Sequence, residues 1–133
     1  MVLDPISDLL TRIRNANQVY LSEVIVPYSK MKWQVAHLLK EEGFIKDCEE
    51  VKEESNPFKA IKLTLKYGSN RKRVISGVKR ISKPGCRVYS SIRELKQYRK
   101  AFGITVLSTP KGIVTDKIAY RQKIGGEVLF SMW

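Results

Sequence analysis

Ile104-Thr-Val-Leu-Ser-Thr-Pro-Lys-Gly-Ile-Val-Thr-Asp116 and Ile124-Gly-Gly-Glu-Val-Leu-Phe-Ser-Met-Trp133 close a chain of 133 residues. An apolar strand signal runs into a hydroxyl-rich tip and a Lys-Gly pair. Thr115-Asp116 then reads as a helix cap, with Ile118 and Ala119 as the inward side of a short helix. Gly125-Gly126 breaks the chain before a last apolar strand that stops on Trp133. A strand-rich closing half of this kind makes the fold α+β, provided the first half mixes helices with strands.

Working back to the start, Asp4-Pro5 opens a helix. Aspartate is a good N-cap, proline suits the first helical position, and Ile6, Leu9, Leu10 and Ile13 follow on one face. Arg12, Arg14 and Asn15 lie off that stripe, where Arg14 is either a solvated side chain or a contact to an RNA backbone. Glu23-Val-Ile-Val-Pro27 is a β-branched strand stopped by proline. Ser29 caps a second helix with Met31, Val35, Leu38 and Leu39 on one face, and Gly43 suits its end. Lys30 and Lys32 fall in the first turn of that helix, where the dipole disfavours positive charge and a nearby anion would offset it. His37 is a packed or surface helix residue. Phe44 to Val51 and Phe58 to Tyr67 read as a hairpin turned at Ser55-Asn56-Pro57. Ile61, Leu63, Leu65 and Tyr67 alternate with polar residues, as in a half-buried antiparallel strand. The acidic run Glu49 to Glu54 is expected to be a solvated tip.

Two subdomains are expected: an α-β-α-β-β layer over residues 1–67, a polar basic linker over 68–73, and a mostly antiparallel β subdomain with short helices over 74–133. In the last, Val74 to Lys83 leads to a Pro84-Gly85 turn and a returning strand Cys86 to Ser90. Ile92 to Lys100 is expected to be a short helix or structured loop ended by Gly103. Lys83, Arg87 and Tyr89 together would set an aromatic ring among cations, which suits contact with a base or ribose. The alternative for Tyr89 is packing within the sheet.

Charge narrows the function. There are 25 Lys and Arg against 13 Asp and Glu, a net charge of +12 and a pI near 9.9. From Arg71 to Lys100 eleven basic residues stand against Glu94 alone, a net of +10, whereas Glu41 to Glu54 carries −5. One segment is expected to face a polyanion and the other to face away from it. Cys48 and Cys86 are expected to be free, buried thiols, since neither belongs to a CxxC pair nor has a neighbouring histidine to complete a metal site. No metal or other cofactor is expected. Met1-Val-Leu-Asp-Pro5 lacks the basic and apolar regions of a signal peptide, and no stretch approaches a membrane-spanning length, so a cytosolic or organellar setting is expected, with no membrane partner.

The candidate site is the turn of Ser108, Thr109, Lys111 and Gly112. Its short hydroxyls and exposed backbone suit sugar edges, phosphates and splayed bases, and its lysine neutralises charge. Glu127 follows the glycine doublet, where another backbone can approach closely. A carboxylate on a basic surface is either a specificity contact or an internal organiser of the loop, and the sequence leaves both open.

Three ordered motifs carry a resemblance along the whole chain. Asp4-Pro-Ile-Ser-Asp-Leu-Leu-Thr-Arg-Ile-Arg-Asn-Ala16, Lys79-Arg-Ile-Ser-Lys-Pro-Gly85, and Ile104 to Asp116 with Gly125-Gly-Glu-Val-Leu129 and Trp133 resemble the bacterial family of small-subunit ribosomal protein number eight. The resemblance implies a structural protein that binds a helical region of small-subunit ribosomal RNA early in assembly. It implicates Ser108, Thr109, Lys111, Gly112 and Glu127, with Arg87 and Tyr89 nearby. It also implies neighbouring small-subunit proteins as partners, a ribosomal location in cytoplasm or plastid stroma and, in many bacteria, repression of the protein's own operon messenger RNA. Pro110 replaces the family's usual serine, which removes a hydroxyl and an amide donor. Leu95-Lys96 and Ala101-Phe102-Gly103 replace a Leu-Pro and a Gly-x-Gly.

Two other classes compete with this reading. An enzyme would need a base with a nucleophile or metal, and one histidine with no productive carboxylate pair or phosphate-cradling glycine loop argues against it. A basic protein-interaction module or membrane-surface binder is disfavoured because no strongly basic amphipathic helix stands out, and a basic RNA-binding or protein-interaction module outside the ribosome is the alternative to the ribosomal reading.

Overall fold

The computed structural model describes residues 4–52, 55, 57–98 and 103–133. Contacts divide the chain into two compact units, Met1–Ile75 and Ser76–Trp133. The division falls after the basic segment 68–73, expected to be a linker, which belongs to the first unit.

The first unit runs α1 (Pro5–Gln18), β1 (Glu23–Pro27), α2 (Lys30–Glu41), β2 (Ile45–Val51) and β3 (Ala60–Leu65), the expected α-β-α-β-β order. Its antiparallel sheet has the order β1-β3-β2. The Asp4 carboxylate accepts from the Ser7 N–H at 3.2 Å, and the Ser29 hydroxyl accepts from the Lys32 N–H at 3.1 Å, so both helices start at side-chain caps. Ile6, Leu9, Leu10 and Ile13 of α1 and Val35, Leu38 and Leu39 of α2 are buried, with Val24, Val26, Ile61, Leu63 and Leu65 from the sheet. Each such side chain contributes roughly 1.5–3 kcal/mol relative to exposure.

The inward face of α2 differs from expectation. Met31 is exposed and Lys32 is buried, the stripe running through Lys32, Val35, Ala36 and Leu39. The anion that compensates Lys32 is internal. Its ammonium donates to Asp8 Oδ2 at 3.2 Å and to the Pro27 carbonyl at 3.2 Å. Arg12 donates to Asp8 Oδ1 at 3.1 Å and to the Ile25 carbonyl at 3.2 Å. β1 is an edge strand, and these two cations cover carbonyls that would otherwise invite another strand. Burial would raise the Asp8 carboxyl, but the hydrogen bonds and charges of Arg12 and Lys32 outweigh it and hold the group below its ordinary value.

The second unit contains β4 (Val78–Arg80), β5 (Tyr89–Ser90), a 3-10 turn at Leu95–Tyr98, β6 (Ile104–Thr109), β7 (Gly112–Thr115), α3 (Asp116–Gln122) and β8 (Gly126–Met132). The sheet order is β4-β8-β6-β7, with β5 also on β8, and every pair is antiparallel. The segments around the Pro84-Gly85 turn do not form a hairpin, because β4 and β5 pair in succession with β8. Val78 opposes Met132, and Tyr89 opposes Glu127. Only Lys83 and Cys86 bridge to each other, so residues 83–87 form a tight excursion from one interrupted edge strand. Leu95, Leu107, Ala119 and Val128 form the core beneath α3, with Ile81, Val88, Tyr98, Val114 and Ile124 around it. The Thr115 hydroxyl caps α3 by accepting from the Ile118 N–H at 3.3 Å.

Cys48 is buried, as expected, but Cys86 is exposed on the 83–87 turn. Readings that involve Met1 to Leu3, Glu53, Glu54, Asn56 and residues 99–102 lie outside the described residues. They include the tip of the acidic loop, part of the β2–β3 turn, and the end of the 92–100 segment.

Candidate nucleic-acid interface

The register of the second sheet places candidate residues in one row. Tyr89 of β5 opposes Glu127 of β8, and Glu127 in turn opposes Ser108 of β6. Opposed residues of antiparallel strands share a face, and successive residues alternate. Leu107 and Val128 enter the core beneath α3, so Ser108, Glu127 and Tyr89 lie on the other face. Tyr89 is 66% exposed. Its ring is therefore an open aromatic surface, not a part of the core.

The glycine doublet explains how three strands meet there. A Cβ on Gly126 would collide with the Ser108 carbonyl, and one on Gly125 would collide with the Ser90 carbonyl. The close approach that these glycines permit is that of the protein's own strands.

Glu127 is engaged by its own loop. Its carboxylate accepts from the Ser82 hydroxyl at 2.5 Å and from Arg87 Nη1 at 2.9 Å, with only 18% of the side chain exposed. The same Ser82 oxygen accepts from the Val88 N–H at 3.1 Å. One carboxylate thus holds both limbs of the 83–87 excursion and aims a guanidinium whose side chain is still 49% exposed. Burial alone would raise the Glu127 carboxyl. Hydrogen bonds from Ser82 and Arg87 and the charges of Arg87 and Arg80 outweigh it, so the group is held below the ordinary value of 4.5.

Thr109 and Gly112 also act on the shape of the loop. Thr109 Oγ1 donates to the Gly112 carbonyl at 2.8 Å and accepts from the Lys111 N–H at 3.2 Å. Pro110 fits the second position of this turn because its fixed φ is already the required one, while Gly112 takes φ +114°, which a side chain would strain. Lys111 is exposed at the tip. Ser108 is half-buried and makes no side-chain hydrogen bond among the described residues.

The second unit thus brings together Lys83, Arg87, Tyr89, Ser108, Thr109, Lys111, Gly112 and Glu127. The remaining three candidates are in the first unit. Arg14 and Lys30 are exposed on their helices, but Lys32 is 3% exposed and committed to Asp8, which withdraws it from any external surface. The sequence reading omitted Ser82 from the site, although its fully buried hydroxyl links Glu127 to the turn. A hydroxyl two residues ahead of a Pro-Gly turn in a basic run was the available signal. Among the described residues there is no cluster of three metal-ligating side chains.

Comparison with known proteins agrees over the full length. The family model described as Ribosomal protein S8 matches residues 4–133. A small ribosomal subunit protein uS8 from Halalkalibacterium halodurans is 50% identical over 133 residues, covering 100% of this chain and 99% of its own. Proteins with the same name from Desulfitobacterium hafniense and Caldicellulosiruptor bescii are each 52% identical, over 98% and 99% of this chain and 97% and 98% of theirs. With a family model and half-identical relatives that span nearly every residue, the chain belongs to the ribosomal protein S8 family.

Proposed function

We propose that the chain is a structural, non-catalytic constituent of the small ribosomal subunit, and that it binds small-subunit ribosomal RNA through the outward face of its second sheet. The supporting observation is the row Tyr89–Glu127–Ser108 flanked by two shaped loops, the 83–87 turn and the 109–112 turn. Exposed Tyr89 offers a ring for a splayed base or a ribose, while Lys83, Arg87 and Lys111 neutralise phosphates. Ser108 supplies a hydroxyl between them. Glu127, Thr109 and Gly112 are positioning residues that fix the two loops before RNA arrives, which lowers the ordering cost of binding.

Neighbouring small-subunit proteins complete its environment, and its work is done in the ribosome, in bacterial cytoplasm or plastid stroma. A messenger RNA that folds like the ribosomal stem meets the same face, which is the route by which the protein would repress its own operon.

Titration of the full chain with its ribosomal RNA stem and with a scrambled duplex of equal length tests this reading. The stem is expected to bind at least tenfold more tightly, an advantage of about 1.4 kcal/mol. Tyr89→Leu is expected to remove most of that preference, since a base stacked on an aromatic ring contributes about 1–3 kcal/mol. Equal affinity of the parent protein for both RNAs would contradict it.

A further inference from the structure

The loop after β3 is a built surface. Gly68 N–H donates to the Lys72 carbonyl at 2.7 Å, and Lys72 N–H donates to the Ser69 carbonyl at 3.2 Å. Between them Asn70 and Arg71 both take left-handed backbone conformations, φ +57° and +60°. Asparagine tolerates that region, but for arginine it carries strain. The loop presents three successive cations, Arg71, Lys72 and Arg73, all exposed.

Two of those cations share one ring. The guanidinium carbon of Arg71 lies 4.1 Å from the centroid of Tyr20, and that of Arg73 lies 4.4 Å from it. Tyr20 is itself fixed: its backbone is left-handed at φ +61°, and its ring packs at 5.5 Å against Tyr67, whose hydroxyl donates to the Leu21 carbonyl at 2.7 Å. Arg73 also donates to the carbonyls of Asn17 and Gln18, at 3.2 and 2.9 Å, where α1 ends. Arg73 is therefore engaged as a helix-end partner, whereas among the described residues the side chain of Arg71 has the ring but no hydrogen-bond acceptor, and that of Lys72 has no hydrogen bond or ion pair.

No acidic side chain among the described residues offsets this charge. Among the described residues no carboxylate lies within ion-pair distance of Arg71, Lys72 or Arg73, and from Ser55 to Arg93 the sequence contains no Asp or Glu. The guanidinium groups repel each other and the left-handed backbone at Arg71 is strained, a cost that the aromatic ring and the helix-end carbonyls offset only in part. A polyanion removes that cost. A guanidinium lying on an aromatic ring is pre-oriented, with its N–H edge available to a phosphate, and an adjacent lysine supplies a second, non-directional charge.

We propose that Arg71 and Lys72, set by the Tyr20 ring and the left-handed loop, form a second RNA contact on the first unit that takes phosphodiester backbone without reading bases. The contact rests on the reading that the chain works against ribosomal RNA, and it is independent of the row around Glu127. Specificity belongs to the second unit, and this loop adds salt-dependent affinity.

The test uses the full chain with full-length small-subunit ribosomal RNA over a salt series. In the same samples the preference for the isolated stem over a scrambled duplex is measured. The double substitution Arg71→Gln with Lys72→Gln is expected to weaken binding to the long RNA about tenfold at about 0.1 M salt. It should also flatten the plot of log affinity against log salt by about 1.4 to 1.8, the loss of two phosphate contacts. Stem preference and melting temperature should stay as in the parent. Tyr20→Leu, which frees Arg71 without removing charge, should lower affinity while leaving most of the slope. An unchanged affinity and slope in a folded double variant overturns the proposal, as does a defect confined to docking of another protein in reconstituted subunits. A parent protein that cannot tell stem from scrambled duplex counts against the function proposed above, whereas the slope alone decides this contact.

Discussion

Glu127 sits between Ser82 and Arg87, and its ionisation ties the shape of the basic turn to pH. Because its carboxyl is held below 4.5 in the folded chain, the unfolded chain takes up the proton first as pH falls. The stability it contributes is complete above that value and is lost as pH drops through the lower, folded one. Glu127→Gln keeps the size and an acceptor for Ser82 but removes the charge that holds Arg87. It is expected to cost about 1 kcal/mol or less at pH 7, since Arg87 is half exposed. Urea midpoints of parent and variant should differ at pH 7 and converge as pH drops through the folded-state value, and a gap that persists in stronger acid would place the effect elsewhere. Lys32 gives the opposite case, a candidate RNA contact that turned out to be internal. Lys32→Met should destabilise the chain by about 1–3 kcal/mol, because Asp8 and the Pro27 carbonyl lose a buried donor. RNA affinity, measured where both proteins are folded, should not change. A weaker RNA complex at unchanged stability would return Lys32 to the surface.

Strand β8 is the element that assembles the second unit, since β4, β5 and β6 all pair with it. Its first residue carries the tightest constraint. Gly126→Ala puts a Cβ against the Ser108 carbonyl, and separating β6 from β8 there should cost about 1–3 kcal/mol or more. A thermal melt within experimental error of the parent would show that the strands can part without penalty. The caps at Asp4-Pro5, Ser29 and Thr115 were legible in the sequence because a cap is local chemistry: one oxygen meets an N–H three residues on. The alternation of β3 was legible for the same reason. β4 and β5 were not, because a Pro-Gly turn looks like a hairpin until the distant strand that both segments pair with is known. The role of Glu127 was hidden likewise, its hydroxyl partner lying 45 residues earlier. Lys32 misled because a charged residue within an apolar stripe reads as solvent-facing unless its carboxylate partner, 24 residues away, is visible.

Across the molecule, charge is sorted by task. The acids on and around the first sheet are answered locally: Lys62 lies 3.3 Å from Glu23 and 3.4 Å from Glu49, and Lys40 lies 3.0 Å from Asp47. In the second unit the two shaped turns carry exposed Lys83, Arg87 and Lys111, and one carboxylate, Glu127, holds Arg87 at 2.9 Å. On the proposed function, the net charge of +12 would bring RNA close, and the row across β5, β8 and β6 would select which RNA stays. Mapping backbone amide shifts by NMR, as the isolated ribosomal RNA stem is added to the full chain, tests that division most directly. The largest changes are expected at residues 82–89, 108–112 and 126–128, with β2 and α2 unmoved. Shifts centred on the first unit, with Tyr89, Ser108 and Lys111 unperturbed, would contradict it.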